Sequence, residues 1–381
     1  MNPRQDFPFF SKRPELVFLD SAASTQRAKP VLDAMQDFEE SHYSNVHRGS
    51  STLSEEATES YEQSREIVAT FIGAQPEQLV FTRGTTEGLN FVAQARTYAS
   101  VLYTELEHNS NVLPWKMRAR QTFLMKPTDL TITPDELNEA LQEHKPKLVT
   151  FTHTSNVTGI TNDVKELCKV ASDNNVQSVI DFAQGAASSP IDIKKVPCTF
   201  LAFSSHKMYG PTGIGALYGA DLEAEKPFQF GGGMVDAISE NNITFSPSPQ
   251  KHEAGTPPIV QAVGFAAATT YVKEHQRYIK DNVKGKLAKA LTEALHSVPG
   301  VSLVAENTFI GSFTTSHHSH DVAYLLGAHN IVARSGHHCA QLLAKRINPT
   351  GTVRASLGIY NTQEDIQQLK EALEQTMKKL A

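Results

Sequence analysis

Short apolar runs, each closed by a cluster of polar residues, recur along the first two-thirds of the chain. Val17-Phe18-Leu19-Asp20, Gln78–Thr82, Val101–Tyr103, Lys147–Thr152, Val176–Ile180 and the run from Thr199 to Phe203 read as strands. They are rich in β-branched and aromatic residues and end at turn formers. Helical spacing fills the intervals. One helix follows Ser24, with Pro30 in its first turn and Val31, Leu32, Met35 and Phe38 as its apolar stripe. Others cover Ser54–Phe71, a stretch through Leu89 and Val92, Pro134–Leu141 and Asp163–Ser172. Strands alternating with helices predict an α/β fold whose ligand crevice lies at the carboxyl ends of the strands. Gly231-Gly232-Gly233 opens a stretch read as irregular through Pro249, and Ile259 to Val298 is mostly helical. The C-terminal third alternates strand and helix in a smaller α+β unit. The expected division is a large domain over 15–260 and a small one made of 1–14 and 261–381, with the boundary inside the helical region.

Composition narrows the class without naming a chemistry. The 381 residues carry a net charge of -6, with 40% hydrophobic and 20% charged residues. No basic block is present, so nucleic acid is not an expected partner. No run reaches the roughly 18 apolar residues that span a bilayer, and the first residues lack an apolar signal core. Three widely spaced cysteines make no disulfide framework. The expectation is a cytoplasmic protein with no membrane association.

The chemistry gathers at the strand ends. The last of the strand-like runs delivers Ser204-Ser205-His206-Lys207 to a Gly210-Pro211 turn. A lysine at a strand end is ordinarily a solvated surface group. Beside hydroxyls, an imidazole and a tight turn, it can instead be desolvated and form a Schiff base with an aldehyde cofactor. Arg83-Gly84-Thr85-Thr86-Glu87-Gly88 leads from a strand into a helix, which presents free N–H groups to a phosphate. Asp181 closes another strand and can face a protonated ring nitrogen, though a turn cap is the plainer role. Lys207, Asp181 and phosphate donors at Thr85, Thr86, Ser204 and His206 together describe a pyridoxal 5'-phosphate pocket. Ser21-Ala22-Ala23-Ser24 is small enough to admit a ligand close to the backbone, and His108 can stack on a ring or shuttle a proton. In Arg334-Ser335-Gly336-His337-His338-Cys339-Ala340 a cysteine lies beside two imidazoles and near an arginine, a setting for a thiolate. His317, His318 and His320 add to that cluster and leave zinc open, but paired CxxC or HExxH spacing is missing. Cys168 and Cys198 read as inert thiols in helical and strand-like contexts. Arg354 offers a fork for a substrate carboxylate.

In these segments the chain resembles cysteine desulfurases of the SufS type, fold-type I pyridoxal-phosphate enzymes of aminotransferase class V. The matching pieces also include Asn45-Val46-His47-Arg48-Gly49, Glu107-His108, Ser155-Asn156, Asp181 with Gln184, and Glu253-Ala254-Gly255-Thr256-Pro257. They run in the family's order over nearly the whole chain. The resemblance implies a large domain with a mostly parallel seven-stranded sheet. It implies that Lys207 holds the cofactor, Asp181 pairs with its ring nitrogen, Gln184 bonds its phenolic oxygen and His108 stacks on it. Thr86, Ser204 and His206 would bind phosphate, with Thr256 joining from the other subunit of a homodimer. Asn156 and Arg354 would hold the carboxylate of L-cysteine, with Arg334 lining the site. Cys339 would take the sulfur as a persulfide, release L-alanine and pass sulfur to a SufU-like or SufE-like acceptor for iron–sulfur cluster assembly. His320 resembles a histidine that takes over a zinc ligand from a zinc-containing acceptor. Selenocysteine lyase and cysteine sulfinate desulfinase share the pocket, and an inactive scaffold subunit would share the fold. The chain departs from the family's usual wording at Arg48-Gly49-Ser50-Ser51, Glu107-His108-Asn109, Asp181-Phe182-Ala183-Gln184 and Lys251-His252-Glu253. The segment from Asn90 to His108 is also shorter than usual. None of these removes a principal catalytic group.

Overall fold

The computed structural model describes residues 3–47 and 49–380, which leaves Arg48 outside the described residues. Seven strands form the main sheet: β1 (Leu79–Thr82), β2 (Ser100–Thr104), β3 (Gln121–Met125), β4 (Leu148–Thr152), β5 (Gln177–Asp181), β6 (Phe200–Ser204) and β7 (Gly215–Gly219). Their order across the sheet is β1-β7-β6-β5-β4-β2-β3. The five from β6 to β3 run parallel, while β7 lies antiparallel between β6 and β1.

Side chains alternate across this sheet, and both faces are covered. Leu102, Val149, Phe151, Ile180, Leu201 and Phe203 belong to the larger hydrophobic core. Their neighbours in sequence, Val101, Leu148, Val179, Phe200 and Ala202, belong to a second core under helix Thr85–Ala95. Burial on both faces explains why the strands read as continuous apolar runs rather than alternating ones. Each buried Leu, Ile or Phe contributes about 1.5–3 kcal/mol, which keeps the crevice end of the sheet rigid.

Two of these strands escaped the hydrophobic pattern. β3 sits on the sheet edge, with Gln121 exposed and its next three residues half-buried. β7 begins and ends with glycine, and Gly215 is required by close packing. A Cβ there would lie 2.4 Å from the Phe203 carbonyl oxygen and 2.6 Å from the Gly84 Cα. The stretch expected to be irregular after Gly233 contains a hairpin, Val235–Ile238 against Ile243–Phe245. Leu32, read into the apolar stripe of its helix, is instead 42% exposed, while Val31 and Phe38 are buried. Cys198 precedes β6 in a loop rather than lying in a strand, and both it and Cys168 are buried.

A smaller antiparallel sheet is built from β8 (Ser302–Leu303), β9 (Ile310–Thr314), β10 (Arg334–Gly336) and β11 (Thr352–Ser356), in the order β8-β9-β11-β10. Helix Ser319–Ala328 packs beside it, and helix Gln363–Leu380 packs on that helix. The N-terminal segment joins this unit. Val17–Phe18 pairs with Ile331–Val332, and Arg4 binds Asp365 at 3.0 Å. Between the two sheets, residues 259–296 form an almost unbroken helical run with a π-helical segment at Ile279–Leu287. Among the described residues no helix is long and apolar enough to cross a membrane.

Candidate active site

The carboxyl ends of β1, β2, β4, β5 and β6 converge with β10, β11 and the loop carrying Cys339. They enclose a cavity of about 180 Å³ whose lining includes Ala23, Thr85, Thr86, His108, Asn156, Asp181, Gln184, Ser204, His206, Lys207, Arg334, Cys339 and Arg354. Lys207 stands on a short 3-10 turn, Ser205–Lys207, directly after β6. Burial pushes its amine down to about 8, with Arg354 and Arg334 adding to the push and Asp181 opposing it. Asp181, at the end of the neighbouring β5, is held above the usual carboxylate range by the same burial. Its Oδ1 accepts the Ala183 N–H at 3.0 Å, and no ion pair to it occurs among the described residues.

Opposite the acid, the turn at Gly84 opens helix Thr85–Ala95. The Thr85 N–H donates to Ser204 Oγ at 2.8 Å, and the two hydroxyls lie 2.7 Å apart. Thr86 Oγ1 meets Ser110 Oγ at 2.8 Å. Gly84 has φ 148°, and a Cβ there would approach Ser204 Oγ to 3.1 Å. Hydroxyls, N–H groups and a positive helix end make this an anion cup. It opens into a groove lined by Arg83, Glu87, Phe228 and Gln229, which in turn borders Gly255 and Thr256. Thr256 therefore stands apart from the Lys207 cavity of its own chain, exposed at the surface.

His108 Nδ1 accepts the Ser110 N–H at 3.1 Å, which places the ring proton on Nε2. Burial, followed by Lys207 and the two arginines, lowers this imidazole to about 4, so it is neutral near pH 7. His206 is lowered to about 4 for the same leading reason. Gln184 Nε2 donates one proton to the Ala22 carbonyl at 2.6 Å and keeps a second for the cavity.

At the far end Arg354 is 2% exposed. Its fork is already braced, with Nη1 donating to the Asn156 carbonyl at 2.9 Å and Nη2 to Asp20 Oδ1 at 2.9 Å. Nε is buried without a partner. Asp20 was missed as a site residue, although it closes an apolar run just as Asp181 does. The Cys339 loop turns left-handed at Gly336, His338 and Cys339 (φ 100°, 51° and 55°), which presents an exposed thiol to the cavity. Asn109 N–H donates to the Cys339 carbonyl at 2.6 Å, and Asn156 Nδ2 to the His338 carbonyl at 2.7 Å. His320 is exposed, its Nδ1 2.9 Å from Ser335 Oγ. Among the described residues no cluster of three or more His, Cys, Asp or Glu side chains is placed to hold a metal.

These groups suit pyridoxal phosphate. A buried carboxyl group with no ion pair among the described residues faces the cavity, and a desolvated amine and an anion cup share it. Lys207 would hold the aldehyde carbon, Asp181 the ring nitrogen, and Thr85, Thr86, Ser204 and His206 the phosphate. The unpartnered Arg354 Nε suits a substrate carboxylate.

Fold and site together define a fold-type I, pyridoxal-phosphate-dependent enzyme. The chain belongs to the aminotransferase class-V family, whose model matches residues 17–369. It is 39% identical over 378 residues to a probable cysteine desulfurase of Halalkalibacterium halodurans, covering 95% of this chain and 93% of that one. It is 36% identical over 394 residues to a probable cysteine desulfurase of Staphylococcus aureus, covering 98% and 95%. Among solved structures, the apo cysteine desulfurase of Thermococcus onnurineus superposes with a TM-score of 0.91 at 34% identity, covering 99% of this chain and 98% of that one. The Escherichia coli cysteine desulfurase CsdA, solved as its S-sulfonic acid, also gives 0.91 at 32% identity, with both chains fully covered.

Proposed function

We propose that the protein is a cysteine desulfurase of the SufS type. The observation that carries this reading is that Lys207, on the large sheet, and Cys339, beside the small one, face the same cavity. The bound cofactor supplies an electron sink next to the amino acid's α-carbon. The protein does the rest. Arg354 and Asn156 orient the substrate carboxylate, with Arg334 beside them. Lys207, a base poised near neutrality, moves protons at the substrate carbon. His108, neutral and carrying its proton on Nε2, packs against the reacting group. Cys339 attacks the substrate sulfur: an S–S bond forms and the C–S bond breaks. The electron pair of the broken bond stays on the β-carbon, which takes up a proton. L-cysteine and the thiol thus become L-alanine and a persulfide on Cys339, with no external oxidant or reductant.

The test is direct. Cofactor-loaded protein given L-cysteine should yield alanine, and the Cys339 peptide should gain the mass of one sulfur atom. No alanine, or alanine without sulfur on that peptide, overturns the reading.

The functional unit is a homodimer in the cytoplasm, in which Thr256 completes the phosphate cup of the neighbouring subunit. The groove joining that cup to the Thr256 loop supports this arrangement. The large domain spans 15–260, and the small domain is made of 1–14 and 261–381, with the boundary in the helical region. The sulfur acceptor is a SufU-like or SufE-like protein that serves iron–sulfur cluster assembly, and His320, exposed near the site, takes over a zinc ligand from it. His320→Ala should leave acceptor-free turnover intact and lower the stimulation by a zinc-containing acceptor. Unchanged stimulation would remove this role.

A further inference from the structure

The Cys339 loop is a tight turn, closed by the Ala340 N–H donating to the His337 carbonyl at 2.9 Å. His338 and Cys339 are consecutive non-glycine residues in the left-handed region, a conformation that persists only where its surroundings enforce it. Ahead of the thiol the enforcement comes from Asn109 and Asn156, which bond to the Cys339 and His338 carbonyls, and from Thr352, whose Oγ1 lies 2.9 Å from His338 Nε2. Behind it, Ala340 caps helix Gln341–Ile347, and Arg346 of this helix reaches the loops that follow β2 and β3. Arg346 Nη1 donates to the Glu105 carboxylate and to the Pro127 carbonyl at 2.8 Å, and Nη2 to the Thr128 carbonyl at 2.6 Å. Among the described residues no other side chain of this helix bonds to those loops.

The receptor for Arg346 is built in advance. Glu105 is 6% exposed, and its N–H is bonded to the Met125 carbonyl at 3.0 Å. The Thr128 N–H is held by Glu136 at 2.8 Å. Glu105 also leads straight into His108 and Asn109. One short segment therefore grips Cys339 from both sides, through Asn109 in front and Arg346 behind. A planar fork bonded to a carboxylate and two carbonyls fixes orientation as well as distance.

We propose that Arg346 and Glu105 form a positioning clamp, which holds the Cys339 loop closed over the cavity and sets the distance from the thiol to the substrate. This rests on the desulfurase reading, because only a nucleophilic cysteine needs such placement. Neither residue lines the cavity.

The test uses the full, cofactor-loaded chain carrying Arg346→Gln, with Glu105→Gln as a milder second variant. Alanine formation from L-cysteine should fall about ten- to a hundredfold. The absorbance change of the bound cofactor on mixing with L-cysteine should keep its rate within about twofold. Alkylation of Cys339 by iodoacetamide should accelerate severalfold in both variants, and Arg346→Lys should recover part of the alanine rate. The clamp is overturned if the absorbance change slows in step with alanine formation, or if Cys339 alkylation is unchanged in both variants. Wild-type protein that forms no alanine would defeat the desulfurase reading instead, and the alkylation rates would then judge the clamp alone.

Discussion

Lys207→Ala is expected to fold, to take up pyridoxal phosphate only reversibly, and to lose turnover by at least about 10³-fold. The substitution removes the covalent anchor and the base in one step, while Asp181 and the Thr85–Ser204 cup remain in place. Borohydride should fix the cofactor to the Lys207 peptide in the wild type and to nothing in the variant. Covalent fixation at another lysine, or turnover near the wild-type rate, would remove Lys207 from the mechanism. A pH dependence follows from the same environment. The nucleophile is the neutral amine, and burial brings it from 10.5 down to about 8. Covalent uptake by the apoprotein should therefore quicken roughly tenfold per pH unit below that value and level off above it. An amine with its ordinary affinity for protons would keep quickening to pH 10, and that result would show that the site does not desolvate it.

Cys339→Ala separates the two halves of the chemistry. The side chain is exposed, so folding stability should change by no more than about 0.5 kcal/mol, and the cofactor should bind as before. Alanine and persulfide formation from L-cysteine should fall about 10³-fold. Turnover of cysteine sulfinate should fall far less, because sulfinate leaves without a nucleophile. Equal losses on both substrates would mean that Cys339 serves the pocket's structure. Full activity with L-cysteine would place the nucleophile elsewhere.

The two variants probe residues whose legibility in the sequence differed in kind. Lys207, Asp181 and the Gly84-Thr85-Thr86 turn stood out because each closes an apolar run, and a parallel sheet sends all such ends to one edge. Asp20 carried the same mark and was passed over, since nothing in the chain's order pairs it with Arg354. β3 and β7 were hidden for different reasons. β3 is an edge strand that keeps polar residues, and β7 needs its glycine at 215 to let backbone approach backbone. Thr256 was expected at the phosphate of a second subunit, and it lies exposed outside its own chain's cavity.

Local periodicity and side-chain chemistry are written residue by residue, so the alternation of strands and helices, the polar strand ends and the types of reactive group could be read along the chain. Tertiary structure alone decided that the cysteine of the small unit faces the lysine of the large sheet. It also decided that Arg354 is braced by Asp20 and Asn156, and that Arg346 grips Glu105. These pairings join segments far apart in the chain, and their energies come from burial and geometry that exist only after the two sheets have packed together.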